Sequence, residues 1–181
     1  GSYMGTHTLG IYRTGNQFVT MIFGIMFSPL LPVLYSRLSR AQDNREWMRN
    51  SFMRIFRIMT FVAIPIGFIL FAVATPVSGI VFGDKWMGID LVVGTMALTH
   101  GFAWIVGANG EVYRAMGKPS YESAVNCIAS AVYIVGYYVS IQYGFETFVW
   151  TRFALALGAI LLHLFFSWYV LRISVFYFLR V

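Results

Sequence analysis

Charge is what this sequence has least of: only 11% of its 181 residues are Asp, Glu, Lys or Arg, less than half the roughly 25% of an average soluble domain. So few ionised groups cannot cover a water-soluble globule without leaving large apolar patches exposed. Cysteine is nearly absent as well, and the single Cys127 excludes an internal disulfide and a cysteine zinc cluster. The chain lacks a Gly-rich phosphate loop, a His-Glu-x-x-His pair and a Gly-x-Ser-x-Gly elbow, so no metal, no cofactor and no enzyme chemistry is expected. The acids that general acid–base work would need lie far apart in sequence. There is no repeat of fixed period, low-complexity tract or long linker.

What the chain has in abundance is apolar residues, 59% of the total, which points to lipid as the solvent. A hydrocarbon core about 30 Å thick needs roughly 20 consecutive uncharged, mostly apolar residues in a helix. Five runs of 19 to 26 residues meet this, bounded by Arg13 and Arg37, Arg57 and Asp84, Asp90 and Glu111, Glu122 and Glu146, and Arg152 and Arg172. Lipid offers the backbone no water, and these runs are twice the roughly 10 residues of a barrel strand, so they read as helices. The expected fold is an all-α membrane protein, a single bundle over 1–181 with spans at about 14–36, 58–82, 90–112, 121–142 and 151–171.

Orientation follows from Lys and Arg, which accumulate in cytoplasmic connections. One side carries Arg37, Arg40, Arg45, Arg49, Arg54, Arg57, Arg114, Lys118, Arg172 and Arg180; the other carries only Arg13, Lys85 and Arg152. The N-terminus is therefore expected outside and the C-terminus in the cytoplasm. An outward N-terminus that enters its first span after about a dozen residues, with no signal peptide before it, fits a piece of a longer protein.

Signals at the span ends agree. Asp43 with Glu46 reads as a capping box that opens a helix through Arg49 and Arg57, with Trp47, Met48, Phe52 and Met53 among the arginines. The net charge of +6 asks for an anionic partner, and Arg37 to Arg57 are expected against anionic lipid headgroups. The third span should end at Gly117, with Pro119 beyond it and Ser120 capping the fourth. Trp86, Trp150 and Trp168 sit near span ends, at headgroup level. Residues Val175 to Leu179 with Arg180 read as an interfacial tail. Pro65 and Pro76 bend the second span, or reflect the frequency of proline in membrane helices.

Polar residues at membrane depth carry the functional signal. Arg13, Gln17, Thr20, Gly24 and Ser28 form one stripe along one face of the first helix, with Asn16 beside Gln17. A polar stripe in lipid must face protein or a wet cavity, so it lines a cavity or bonds across to a neighbouring helix. Ala97 with Gly101 and Ala103 with Gly107 are small-xxx-small pairs that bring helices close. His100 lies among them at mid-membrane, as a cavity residue, a hydrogen-bonded packing residue or a proton relay; His163 and Asn126 read as packing groups. Glu111 and Arg114 are spaced for an ion pair. The basic residues lie at a membrane face rather than on a soluble fold, so no nucleic-acid partner is expected.

Four stretches carry a family resemblance: Leu9-Gly10-Ile11-Tyr12-Arg13, the segment from Ser28-Pro29-Leu30-Leu31-Pro32 through Tyr35-Ser36-Arg37 to Arg40, Phe82-Gly83-Asp84-Lys85-Trp86, and Glu111-Val112-Tyr113-Arg114 to Pro119. In order and spacing over residues 9 to 119 they resemble polysaccharide flippases of the multidrug/oligosaccharidyl-lipid/polysaccharide exporter superfamily; residues 120 to 181 match only as two generic spans. The resemblance implies twelve or more helices in two bundles, with this chain as helices eight to twelve of the C-terminal bundle and the N-terminal bundle as its missing partner. It implies a bacterial or archaeal plasma (inner) membrane protein that passes a lipid-linked oligosaccharide, such as an O-antigen unit on polyprenyl pyrophosphate, between leaflets by alternating access. Arg13, Asn16 and Gln17 would then donate to phosphate or sugar, and Glu111, Arg114 and Lys118 would act at the cytoplasmic entrance or orient the helix end. A cation-coupled drug exporter of the same superfamily and a non-transporting membrane subunit are the competing functions.

Overall fold

The structure, a computed structural model, describes residues 4–40 and 44–171. These form helices, with no strand among the described residues: α1 (Gly5–Phe27), α2 (Leu30–Ser39), α3 (Arg45–Ala72), α4 (Ala74–Phe82), α5 (Ile89–Ala103), α6 (Asn109–Ala115), α7 (Pro119–Ser140) and α8 (Phe145–Leu171). Glu46–Ala72, Ile89–Ala115, Pro119–Tyr143 and Phe145–Val170 are each long and apolar enough to cross a membrane, and α1 with α2 supplies a fifth if the bent pair is one span. The expected all-α membrane class holds. The expected cap Asp43, the charges Arg172 and Arg180, and the tail from Val175 to Leu179 lie outside the described residues.

Prolines decide where the long runs break. Pro29 lacks the amide that would reach the carbonyl of Ile25, and its ring crowds that carbonyl. α1 ends at Phe27 and α2 leaves at 45° to it. Pro76 does the same to the carbonyl of Ala72, where α3 stops; Val73 leaves helical geometry at φ −102° and ψ 13° before α4 begins. The run read as one span over 58–82 is therefore two rods. Pro65 stays inside α3 without ending it, with α3 held against α5 on both sides of it at Ala63 and Gly67. The third run is also interrupted, by a 3₁₀ turn at Trp104–Val106. Ala103 and Gly107 thus flank a turn instead of sharing one helix face. The Trp104 indole lies where a Cβ on Gly107 would collide with it, and stacks on Phe27 at 4.8 Å.

The helix ends show the local chemistry. Asn44, one residue after the expected Asp43, caps α3 by accepting from the Trp47 amide at 2.9 Å. Glu46 falls in the first turn, where the helix dipole favours an acid. α6 closes with Lys118 N–H on the Tyr113 carbonyl at 2.8 Å and Gly117 N–H on that of Arg114 at 3.0 Å, a Schellman motif that needs the positive φ of Gly117, 66°. Ser120 does not cap α7: the helix starts one residue earlier at Pro119, with Lys118 in the cap position and no side-chain bond.

α5 is the central rod, buried without interruption from Val92 to Thr99 and packed by α1, α3, α4 and α8. Ala97 and Gly101 meet Ala63 and Gly67 of α3 so closely that a Cβ on Gly67 would sit 2.8 Å from the Ala97 carbonyl oxygen. The small-xxx-small expectation for that pair is met. At the rim α7 leans on α8 and α6, leaving Ile128, Val132, Ile134, Val135 and Tyr138 exposed; in a bilayer such side chains face hydrocarbon.

Candidate functional site

The face that α1 presents is fixed by the face it buries. Ile11, Gly15, Val19, Phe23 and Phe27 recur every four residues and are buried. Gly15 permits the approach, since a Cβ there would lie 2.9 Å from Val92 Cγ1 of α5. This register turns Arg13, Gln17, Thr20 and Ser28 outward, where they are exposed, with Gly24 half-buried. No helix among the described residues covers the stripe. Asn16 is half-buried, and its carbonyl accepts the Thr20 hydroxyl at 2.8 Å. Thr20 Oγ1 also lies 3.1 Å from His100 Nε2, whose ring stacks on Phe23 at 5.8 Å. Of the expected cavity residues, Arg13 and Gln17 face open space, Asn16 flanks them, and His100 joins the stripe through Thr20.

At the other end of the bundle the expected ion pair is present. Arg114 Nη2 donates to Glu111 Oε1 at 2.8 Å, and Arg114 Nε lies 3.4 Å from Glu122 Oε2 of α7. One guanidinium thus ties α6 to α7. Gly110 makes room, because a Cβ there would meet the Glu122 carboxylate at 2.5 Å. Lys118 does not join the triad; its ammonium lies 5.8 Å from the centre of the Tyr121 ring. The entrance residues therefore form one polar cluster with a cation–π contact beside it. Among the described residues no group of His, Cys, Asp or Glu is arranged to hold a metal ion.

Two polar assemblies escaped sequence reasoning. Arg152 of α8, read there as a boundary charge, lies over the Tyr133 ring of α7 at 4.8 Å and is half-buried, with Tyr137 and Tyr12 close enough to interact with its charge. Phe148 completes the cluster, 5.2 Å from the Tyr12 ring and 5.0 Å from that of Tyr137. The available signal was spacing: Tyr133 with Tyr137 and Phe148 with Arg152 are four apart on their helices. The second assembly joins α6 to α8. Asn109 Nδ2 donates to Ser167 Oγ at 2.7 Å and to the His163 carbonyl at 3.3 Å. The Tyr113 hydroxyl donates to the same carbonyl at 3.2 Å and lies 3.0 Å from Ser167 Oγ. His163 thus engages through its backbone, while Asn126, expected to bond between helices, is exposed with no hydrogen bond to another described residue.

Apolar rods around a buried central helix, with polar groups gathered at the helix junctions, define a multi-pass membrane protein. Residues 1–90 match the family described as "Polysaccharide biosynthesis protein". The chain is 26% identical over 162 residues to the succinoglycan biosynthesis transport protein ExoT of Rhizobium meliloti, covering 75% of this chain and 33% of that protein. It is 24% identical over 119 residues to the teichuronic acid biosynthesis protein TuaB of Bacillus subtilis, covering 65% of this chain and 24% of the relative. An uncharacterized membrane protein in the cps region of Klebsiella pneumoniae is 24% identical over 114 residues, 62% of this chain and 24% of the relative. The resemblance of the motifs is matched by these comparisons: the chain is similar to proteins of polysaccharide biosynthesis and transport. It spans a quarter to a third of the length of these curated relatives. No solved structure matches it.

Proposed function

We propose that this chain is part of a flippase that carries a lipid-linked glycan, on polyprenyl pyrophosphate, across the plasma membrane by alternating access. The observation that carries this reading is the uncovered stripe on α1: Arg13, Gln17, Thr20 and Ser28 are exposed while the opposite face is buried. At membrane depth such a stripe needs a polar counterpart or water, and a cavity shared with a further bundle supplies both. A pyrophosphate and its sugars cross bare hydrocarbon only at a large desolvation cost. Arg13 offers the phosphates a charge-assisted partner, and Asn16 and Gln17 offer hydrogen bonds to hydroxyls. The names of the relatives, which concern succinoglycan and teichuronic acid, support a glycan as cargo.

In this reading the end that carries Arg37 to Arg57, Arg114 and Lys118 is cytoplasmic, following the bias of positive residues. The Glu111–Arg114–Glu122 cluster orients the α6–α7 turn at the entrance. Replacement of Arg13 by Glu in the full-length protein should sharply lower surface glycan at equal protein level, and unchanged glycan removes Arg13 from the mechanism. Proteoliposomes that hold only this chain should fail to move a labelled lipid-linked sugar. A cation-coupled drug exporter is the second reading. It would draw on an embedded carboxylate, and the buried Glu111 is already paired with Arg114.

A further inference from the structure

The 45° turn at Pro29 carries α2 away from α3 and onto α6. Between α2 and α3 it leaves a cavity of about 530 Å³, a size that commonly holds a small ligand, roughly 300–1,000 Å³. Its walls are apolar: Val33 and Leu34 from α2, Ile55, Ile58 and Met59 from α3. Arg37 and Arg54 stand among the lining residues, and Arg57 lines an adjoining hollow that also touches Arg54 and Ile58. Among the described residues no acid lines either space, and none of these three arginines forms an ion pair. Trp47, an indole suited to headgroup level, lines the same cavity.

We infer that this groove binds one anionic phospholipid of the surrounding leaflet, its phosphate on Arg37, Arg54 and Arg57 and one acyl chain between α2 and α3. Apolar walls at the membrane boundary do not hold water, so a hydrocarbon chain must fill them. The guanidinium mouth sets the sign of the headgroup, and guanidinium forks suit phosphate oxygens. Bilayer lipid is present in vast excess, so even a modest site stays filled by mass action. The groove begins at Leu30, beyond the Ser28 end of the α1 stripe, shares no lining residue with it, and stands independently of the transport reading.

The test is native mass spectrometry of the chain released from nanodiscs of phosphatidylcholine doped with phosphatidylglycerol. The chain should retain phosphatidylglycerol in preference to phosphatidylcholine. Each cation beside an anionic lipid is worth about fivefold in binding, so a double Arg37→Gln, Arg54→Gln variant should lose that preference by about twenty-five-fold. Lys85→Gln, which removes an exposed charge that lines neither space, should leave it intact. Ile58→Trp fills the groove without touching charge and should lower retention of both lipids, which keeps the proposal testable if the double variant does not fold. Equal phosphatidylglycerol retention by the Lys85 variant and either groove variant overturns the site. Displacement of the phospholipid by polyprenyl phosphate at equal mole fraction, or a lipid-free dimer, overturns its assigned occupant.

Discussion

α5 meets α3 through missing side chains, whereas α8 meets α7 and α1 through some of the largest ones in the molecule. At the first junction Gly67, Gly101, Ala63 and Ala97 let two backbones touch. At the second, Arg152 is surrounded by Tyr12, Tyr133, Tyr137 and Phe148. Lipid tails are as apolar as leucine, so burial does little to hold helices together inside a bilayer; close packing and polar contacts must do it instead. The two junctions use these two means separately. Backbone contact has no slack, because nothing flexible can move aside, whereas a guanidinium among phenols can slide across a ring face and still be stabilised.

The largest expected effect follows from that lack of slack. Gly67→Leu forces its side chain into the Ala97 carbonyl and should destabilise the bundle by about 3 kcal/mol, at the upper end of overpacking costs, read as a lower detergent-denaturation midpoint. Arg152→Ala should cost about 2 kcal/mol, the scale of a desolvated cation–π contact, and Arg152→Lys should recover part of it. An equal loss with Lys and Ala would show that the stem, not the charge, holds the joint. A double-mutant cycle of Arg152 with Tyr133 should give a coupling of about 1 kcal/mol, and zero coupling would move the stabilising contact to Tyr12 or Tyr137. Glu122→Gln at the other end should cost only about 0.5 kcal/mol, because the Arg114 guanidinium is half exposed and solvent screens the pair. Arg13→Ala should change stability by less than about 0.5 kcal/mol, since its side chain faces open space. A large loss there would mean that the stripe is a packing face.

Much of the architecture was legible because charge is excluded from hydrocarbon so strongly that its spacing alone marks the spans. Gly117 with Pro119, and Ala97 with Gly101, were legible for a related reason: each residue type meets one steric demand that few others can meet. Whether a proline bends or breaks a helix was not legible. Pro65 and Pro76 each remove one backbone hydrogen bond, and close contacts to α5 flank both breaks, Ala63 and Gly67 at one and Phe71 and Ala74 at the other, yet only the second ends the helix. The Asn44 cap was not legible because Asp43 and Asn44 stand side by side and either side chain type can accept the first free amide. Of the candidate site, the stripe on α1 and the Glu111–Arg114 pair lie within single helices, where period alone suffices. The Thr20–His100 contact and the Arg152 cluster assemble residues from distant parts of the chain, and no local spacing encodes that.

The bend at Pro29 has a consequence for the interior as well as for the groove. With no proline amide to meet it, the carbonyl of Ile25 lacks the i+4 donor that a regular turn provides, five residues past Thr20 along α1. Oxygen lone pairs left idle in oil invite whatever hydroxyl comes within reach, from water or from a neighbouring side chain.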